Sequence, residues 1–323
     1  MNEGERPVAT SVEGARSALR IATRRSALAL WQAEHVRDLL LAAHAGLDVE
    51  LVPMVTEGDR RLSGSLAEIG GKGLFVKELE AALLTNRADI AVHSMKDVPA
   101  RLPDGLCLTA FLRGEDPRDA FVSDRYANLD ALPHGARVGT ASLRRQAQLR
   151  ALRPDLEIVP VRGNVGTRLK KVDDGVVDGL LLAHAGLARL GLASRITESL
   201  DVQRFVPAVA QGVIGVECRT NDALTRSWLA PLDDALAQTR LAAERTLSAR
   251  LGGACTVPVA GHAWLADGRL HLLGLVAAPD GTRVVRDAID GDPTAGQALG
   301  EMLARRLLEA GARDILTALG IVV

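Results

Sequence analysis

Four groups of residues in this chain have the types and spacing to do chemistry. The first is Ala88-Asp89-Ile90-Ala91-Val92-His93-Ser94-Met95-Lys96-Asp97-Val98-Pro99, where the apolar run Ile90 to Val92 breaks into Ser-Met-Lys-Asp. The run reads as a buried strand, since parallel strands covered on both faces lack strict alternation, and Val-Pro favours an extended exit. Ligands in open α/β sheets bind just past the carboxyl ends of strands, which is where Lys96 and Asp97 fall. The bland reading is a solvated loop ion pair. The second group is Arg24, Arg25, Arg144, Arg145, Arg162, Arg168 and Arg189, all at predicted strand-to-helix loops or helix starts. Guanidinium forks grip carboxylate or phosphate, and helix N-termini add N–H donors and a favourable dipole. Any one of these arginines is as readily an ordinary surface residue; the set is not. The third group, Gly70-Gly71-Lys72-Gly73, lacks P-loop spacing and any dinucleotide fingerprint, and reads better as a lid with glycine hinges. The fourth is Cys255, in a loop between a glycine-stopped helix and Val257-Pro258-Val259. A loop thiol can be a nucleophile or an attachment point, although a structural role is commoner.

The elements that must position these groups follow a repeated syntax. Leu19 to Thr23 reads as a strand, Ser26 as an N-cap, and Ala29, Ala33, Val36 and Leu40 as one face of a helix. A strand from Val49 to Val55 leads to a polar loop, Thr56 to Arg60. A helix from near Leu74, with Phe75, Leu79 and Leu83 in register, precedes the Asp89 strand. The same order returns from Ala136: strand, Thr140-Ala141-Ser142, arginines, helix. Glu157 to Val161 echoes Glu50 to Val55, a helix carries Leu169, Val172 and Val176, and a strand follows at Val177 to Ala183. Two similarly built α/β lobes facing a cleft are expected. Crossing segments are placed near Ala100 to Asp116 and Phe205 to Cys218, with Gln211 to Glu217 returning as a strand to the first lobe. Such paired crossovers suit hinge bending.

After Pro231 the pattern changes to a helix, Leu232 to Leu251, stopped by Gly252-Gly253. Strands follow at Val257 to Leu265 and Arg269 to Ala277, joined at Asp267-Gly268, with another turn at Asp280-Gly281 and a last helix, Ala295 to Ala310. The expected domains are thus a disordered tail, 1–18; domain 1, 19–112 with 213–230; domain 2, 113–212; and a small α+β domain 3, 231–323.

Composition narrows the function. A chain of 323 residues has room for two or three cores. A net charge of −1 and 2% aromatic residues argue against a nucleic-acid surface, which needs positive charge and stacking platforms. Arginines gathered in ligand loops on a near-neutral chain point instead to a deep polyanionic substrate. No apolar run approaches a membrane span, and the first residues are acidic with no apolar stretch, so no membrane association and a cytoplasmic location are expected. The three cysteines, Cys107, Cys218 and Cys255, are far apart and odd in number, which favours a reducing compartment. No zinc spacing is present, so no metal is expected. Cys107 and Cys218 lie in apolar runs and read as structural.

Ser94-Met95-Lys96-Asp97, Ser142-Leu143-Arg144-Arg145, Arg162-Gly163-Asn164-Val165-Gly166-Thr167-Arg168 and the Cys255 loop together resemble the porphobilinogen deaminase (hydroxymethylbilane synthase) family. The likeness runs from about Arg20 to the end. It includes Leu30-Trp31-Gln32-Ala33, Gly71 to Glu80, Glu115-Asp116-Pro117-Arg118-Asp119-Ala120-Phe121 and Gln211-Gly212. The resemblance implies two lobes folded like type II periplasmic binding proteins, a third small domain, and a monomer. It implies a dipyrromethane cofactor joined by a thioether to Cys255. Four porphobilinogen molecules are added to this primer with loss of ammonia, and linear hydroxymethylbilane is then hydrolysed off. Each pyrrole carries an acetate and a propionate, which accounts for many arginines in one cleft. By the same resemblance Asp97 is the catalytic carboxylate, stabilising the cationic methylene-pyrrole species and shuttling protons. Arg24, Ser26, Ser142, Arg144, Arg145, Arg162, Arg168 and Arg189 hold acetate and propionate groups. Lys96 contacts the cofactor, Lys72 belongs to the loop over the cleft, and Phe75 stacks near the growing chain. Ser94, Thr140, Gly163, Asn164 and Gln211 complete the binding set.

Some positions depart from the family pattern: Glu68 where Lys is frequent, Ala141 where Ser is, and Ala210 where Gly is. Two other classes of protein share part of this pattern. A non-catalytic binding protein for a polycarboxylate needs the arginines but neither Asp97 nor Cys255. A thiol hydrolase needs a histidine beside Cys255, and His262 is expected on a strand.

Overall fold

Short apolar runs between turn signals become the strands of three separate sheets in the computed structural model, which describes residues 18–60, 75–253 and 257–323. Lys72 with its glycine-rich stretch, Glu68, Cys255 and residues 1–17 of the expected tail lie outside the described residues. The first unit begins with β1 (Leu19–Arg24), α1 (Ala27–Ala43) and β2 (Val49–Met54). It continues with a one-turn helix α2 (Glu57–Arg60), α3 (Lys77–Leu84), β3 (Ile90–Ser94) and β4 (Leu106–Phe111). Ser26 caps α1, its Oγ accepting from Ala29 N at 3.3 Å, and Ala33, Val36 and Leu40 are buried against the sheet as their spacing requires. The Thr56–Arg60 segment, expected as loop, closes into α2 because Asp59 accepts from Thr56 N and Oγ1. Phe75 lies before α3, not within it.

The second unit comprises β5 (Asp119–Val122), β6 (Arg137–Gly139), α4 (Leu143–Leu152), β7 (Glu157–Val159) and α5 (Val165–Asp173). It ends with β8 (Gly179–Ala183), α6 (His184–Arg189) and β9 (Glu198–Ser199). Leu169 and Val172 are buried, but Val176 falls beyond the end of α5 and is exposed. The chain then returns as β10 (Ile214–Arg219). The sheet orders are β2-β1-β3-β10-β4 and β7-β6-β8-β5-β9, with four strands running one way and one inserted antiparallel strand, β10 between β3 and β4 or β5 between β8 and β9. Each inserted strand is the one the chain enters directly after a crossover. The first crossover is narrower than expected, residues 112–118, since β4 belongs wholly to the first sheet, and the second is shifted to residues 200–213, since β10 begins at Ile214. The architecture is two α/β lobes with a small C-terminal α+β unit.

That last unit follows α7 (Ala223–Leu229), which packs on the first lobe. It contains α8 (Ala235–Arg250) and the meander β11 (Val259–Ala266), β12 (Arg269–Ala277) and β13 (Val284–Gly291). Then come α9 (Gly296–Leu307) and α10 (Arg313–Ala318). Helices α8 and α9 cover one face of the sheet, with Leu247, Leu272, Leu303 and Leu307 at the centre of the core. The expected last helix, Ala295 to Ala310, is α9, and a further helix, α10, follows it beyond Gly311, which adopts φ 105°.

Candidate active site

The ends of β3, β1, β6 and the loop after β7 converge between the lobes. Lys96 and Asp97 lie in a 3₁₀ turn, Met95–Asp97, immediately past the carboxyl end of β3. The turn is anchored below: Met95 is buried and its N–H donates to Val213 O at 3.0 Å. Asp97 itself takes no hydrogen bond among the described residues, so its carboxylate is uncommitted. Burial and the neighbouring Arg145 push the Lys96 ammonium down to about 8, with Asp97 and Asp119 pulling the other way. Lys96 Nζ donates to Gln211 Oε1 at 3.4 Å, and Gln211 Nε2 donates to Asp119 Oδ1 at 3.0 Å. Gln211 thus bridges the two lobes across the second crossover.

The arginines divide into two kinds. Arg144 and Arg145, in the first turn of α4, are buried and face the wholly buried Asp119 at the start of β5. Arg144 Nη1 donates to Asp119 Oδ2 at 2.7 Å and to Val206 O at 2.7 Å. Arg145 Nη2 donates to Asp119 Oδ1 at 2.7 Å, and its Nη1 to Leu181 O at 2.9 Å. The two guanidinium groups hold the Asp119 carboxyl well below its ordinary range. A buried carboxylate needs its own counter-charges, and both forks are engaged on it. Two cations on one anion still leave a positive charge under the cleft floor. Arg189 ends α6 instead of starting a helix, and donates to Glu115 Oε1 at 3.0 Å and Gly212 O at 2.7 Å, tying both crossovers together.

Arg162 and Arg168 are different. Arg162 Nη2 is buried with no partner among the described residues, an orphaned donor of the sort an anionic group would satisfy. Arg168 donates from Nε to Gly163 O at 2.7 Å. It is pushed down to about 10 by burial and by Arg145, Arg162 and Arg24, with Asp97 opposing. Arg24 and Asp97 come from the first lobe; Arg145, Arg162 and Arg168 come from the second. One field therefore joins both walls. Arg24 is paired with Asp59 and stacks over the Phe75 ring at 4.3 Å, while Phe75 packs against Gly58.

The small polar residues mostly shape the walls. Ser94 exchanges hydrogen bonds with Gln32 at 2.9 and 3.2 Å. Thr140 Oγ1 accepts from Ser142 N, and Ser142 makes no side-chain cap. Asn164 caps α5, accepting from Thr167 N at 2.8 Å, and Gly163 takes φ 105° to turn the chain into it. Four site-supporting residues were missed by sequence reasoning: Asp119, Glu217, Glu244 and His93. Asp119 lies in the Glu115–Phe121 motif, and its position at a strand start was the available signal.

The donor set is cationic, buried and carboxylate-shaped. Among the described residues, no group of three or more His, Cys, Asp or Glu could hold a metal ion, and no helix is long and apolar enough to cross a membrane.

Two family models match the chain: "Porphobilinogen deaminase, dipyromethane cofactor binding domain" over residues 19–227, and "Porphobilinogen deaminase, C-terminal domain" over 238–309. Solved structures similar to it include a VFT2 domain of BvgS from Bordetella pertussis, 19% identical, covering 66% of this chain and 85% of that one at TM-score 0.40. A putative methionine-binding lipoprotein from Bacillus subtilis is 12% identical, covering 67% and 90% at TM-score 0.43.

Proposed function

The chain belongs to the porphobilinogen deaminase family, and from that premise we propose how its own residues carry the reaction. The activity is that of a transferase, hydroxymethylbilane synthase, in tetrapyrrole synthesis, with a dipyrromethane cofactor. When bound, that cofactor supplies the primer to which porphobilinogen units are joined. Arg162 and Arg168 are the primary clamps for acetate and propionate groups, and Lys96 reaches the same ligand from the first lobe. Arg24 and Phe75 form the opposite wall, and Lys72 is a further cation for the ligand. Ser26 and Ser142 offer hydroxyl donors at the two equivalent strand ends. Arg144, Arg145 and Arg189 hold the floor and crossovers rigid. Cys255 is the attachment point; it follows α8, so the third unit, 231–323, carries the growing chain into the cleft.

Asp97 carries the chemistry in this reading. As ammonia leaves porphobilinogen, positive charge develops on the substrate methylene and ring. A carboxylate already fixed beside that position stabilises the charge without reorganisation and can accept the pyrrole proton afterwards. The observation that supports this reading most is the uncommitted Asp97 carboxylate inside a field built from arginines of both lobes, with the orphaned Arg162 donor in the same field.

Intact-mass analysis after incubation with porphobilinogen, followed by peptide mapping, tests the proposal. Two pyrrole units on Cys255 with further units added stepwise are expected, and Asp97→Ala should stop elongation while leaving the thermal transition in place. Near-normal turnover of that variant would remove Asp97 from the role. A cytoplasmic monomer is part of the proposal; sedimentation that gave a dimer mass would overturn that part.

A further inference from the structure

Cys107 and Cys218, far apart in sequence, stand directly opposite each other as register partners on the antiparallel strands β4 and β10. Opposed residues of such a pair project from the same face of the sheet, and both side chains sit in the apolar cluster that includes Leu229 of α7. The ladder shifts register between Val216 and Glu217, leaving Thr109 as the extra residue of β4. Thr109 Oγ1 lies 2.9 Å from Cys218 Sγ and 3.4 Å from Cys107 Sγ, so one hydroxyl gathers both sulfurs. The backbone spacing suits a bond between them. Opposed Cα atoms are about 4.5 or 5.5 Å apart, depending on the pair's hydrogen bonding, and both values fall in the range of roughly 4.4–6.8 Å that a disulfide spans.

We infer that Cys107 and Cys218 are a reversible redox site, which hydrogen peroxide closes into a cross-strand disulfide within the first lobe. Access sets the order of events. Cys107 is half-buried, whereas Cys218 is wholly buried. Burial pushes the Cys218 thiol up to about 11, with Thr109 opposing and Cys107 adding to the rise, so Cys218 stays protonated and the first step falls to Cys107. The Cys107 sulfur, as thiolate, attacks one peroxide oxygen; the O–O bond breaks, leaving a sulfenic acid and a hydroxide that the thiol's proton converts to water. The Cys218 sulfur then attacks the Cys107 sulfur, the S–O bond breaks, and the hydroxide leaves as water with the Cys218 proton. Two thiols and one peroxide give one disulfide and two waters. A dithiol reductant reverses the bond by exchange. Because β4 runs into the first crossover and β10 emerges from the second, the bond staples the two strands between which the second lobe is inserted. The pair lies level with Ile90 at the start of β3, away from the cleft beyond Ser94.

Hydrogen peroxide treatment of the whole protein, denaturation in an alkylating reagent and non-reducing peptide mapping test the site. Two peptides joined through Cys107 and Cys218 are expected, and dithiothreitol should separate them. The oxidised protein should unfold at a Tm several degrees above the reduced one, because the bond closes a long loop in the unfolded chain. Cys107→Ser should abolish the joined peptides and leave Cys218 fully alkylated. Cys218→Ala should instead leave Cys107 as a sulfenic acid that dimedone traps. None of these readouts depends on turnover, so they fail or succeed apart from the reading of the cleft. Both cysteines alkylated after peroxide, Cys107 carried on to sulfinic acid beside an alkylated Cys218, or a bond from either to Cys255 overturns the pairing. A Tm unchanged or lowered by oxidation overturns the staple.

Discussion

Adjacent arginines at Arg144-Arg145 and the pair Arg162 and Arg168 are chemically identical and do different work. The first two are countercharges to Asp119; of the second two, Arg162 keeps a buried Nη2 with no partner among the described residues, and Arg168 donates from Nε to Gly163 O. Replacing Asp119 by Asn would strand two buried guanidinium groups, and a loss of about 3–5 kcal/mol in urea unfolding is expected. Replacing Arg162 by Gln should leave stability nearly unchanged but raise KM for porphobilinogen about tenfold, the worth of one charge-assisted hydrogen bond. The reverse ranking would show that the two kinds of arginine have been confused. Lys96 brings a pH dependence. Its cation, depressed to about 8 in the free protein, is lost as pH rises through that value. Affinity for the carboxylated substrate should therefore weaken above pH 8, and Lys96→Arg should flatten the profile in a KM-against-pH series.

At the scale of elements, the second crossover is the most constrained stretch of backbone. Gly212 adopts φ 88°, and a Cβ there would sit 2.6 Å from Glu115 O of the first crossover. Gly212→Ala should cost at least ~2 kcal/mol, since both the conformation and the close approach forbid a side chain. Two residues earlier, Ala210 is also left-handed, at φ 61°, with its N–H held by Glu244 Oε2 at 2.6 Å. Ala210→Gly should stabilise the protein by about 0.5–1 kcal/mol by removing the Cβ strain. A chemical-denaturation comparison of the two variants reads opposite signs within three residues. Such positions are half legible: Gln211-Gly212 stands out as a motif, whereas the strain at Ala210 is visible only in the folded backbone.

Across the whole molecule, the two lobes and the third unit meet at these crossovers. Arg189 ties residues 112–118 to 200–213 from the second lobe, and Glu244 of α8 joins Ala210 N to Ala263 N from the third. Arg189→Ala should free both crossovers, seen as a larger radius of gyration in solution scattering together with lower kcat. An unchanged radius and unchanged kcat would show that the crossovers are rigid without it.

The sequence by itself determined the local elements and the chemical inventory. Apolar runs, the Ser26 cap, the Asp267-Gly268 turn and the repeated strand-arginine-helix order depend on interactions within a few residues, which spacing and residue type encode. It also determined that Lys96 and Asp97 follow a strand end, because a buried run must stop where charge begins. Only the tertiary structure decided which charges are spent. Asp119 lies some 25 residues from Arg144, Glu217 lies 124 from His93, and Glu244 lies 34 from Ala210. Whether a guanidinium or carboxylate is free for a ligand depends on which partner the fold brings to it in a place without water, and that pairing is non-local.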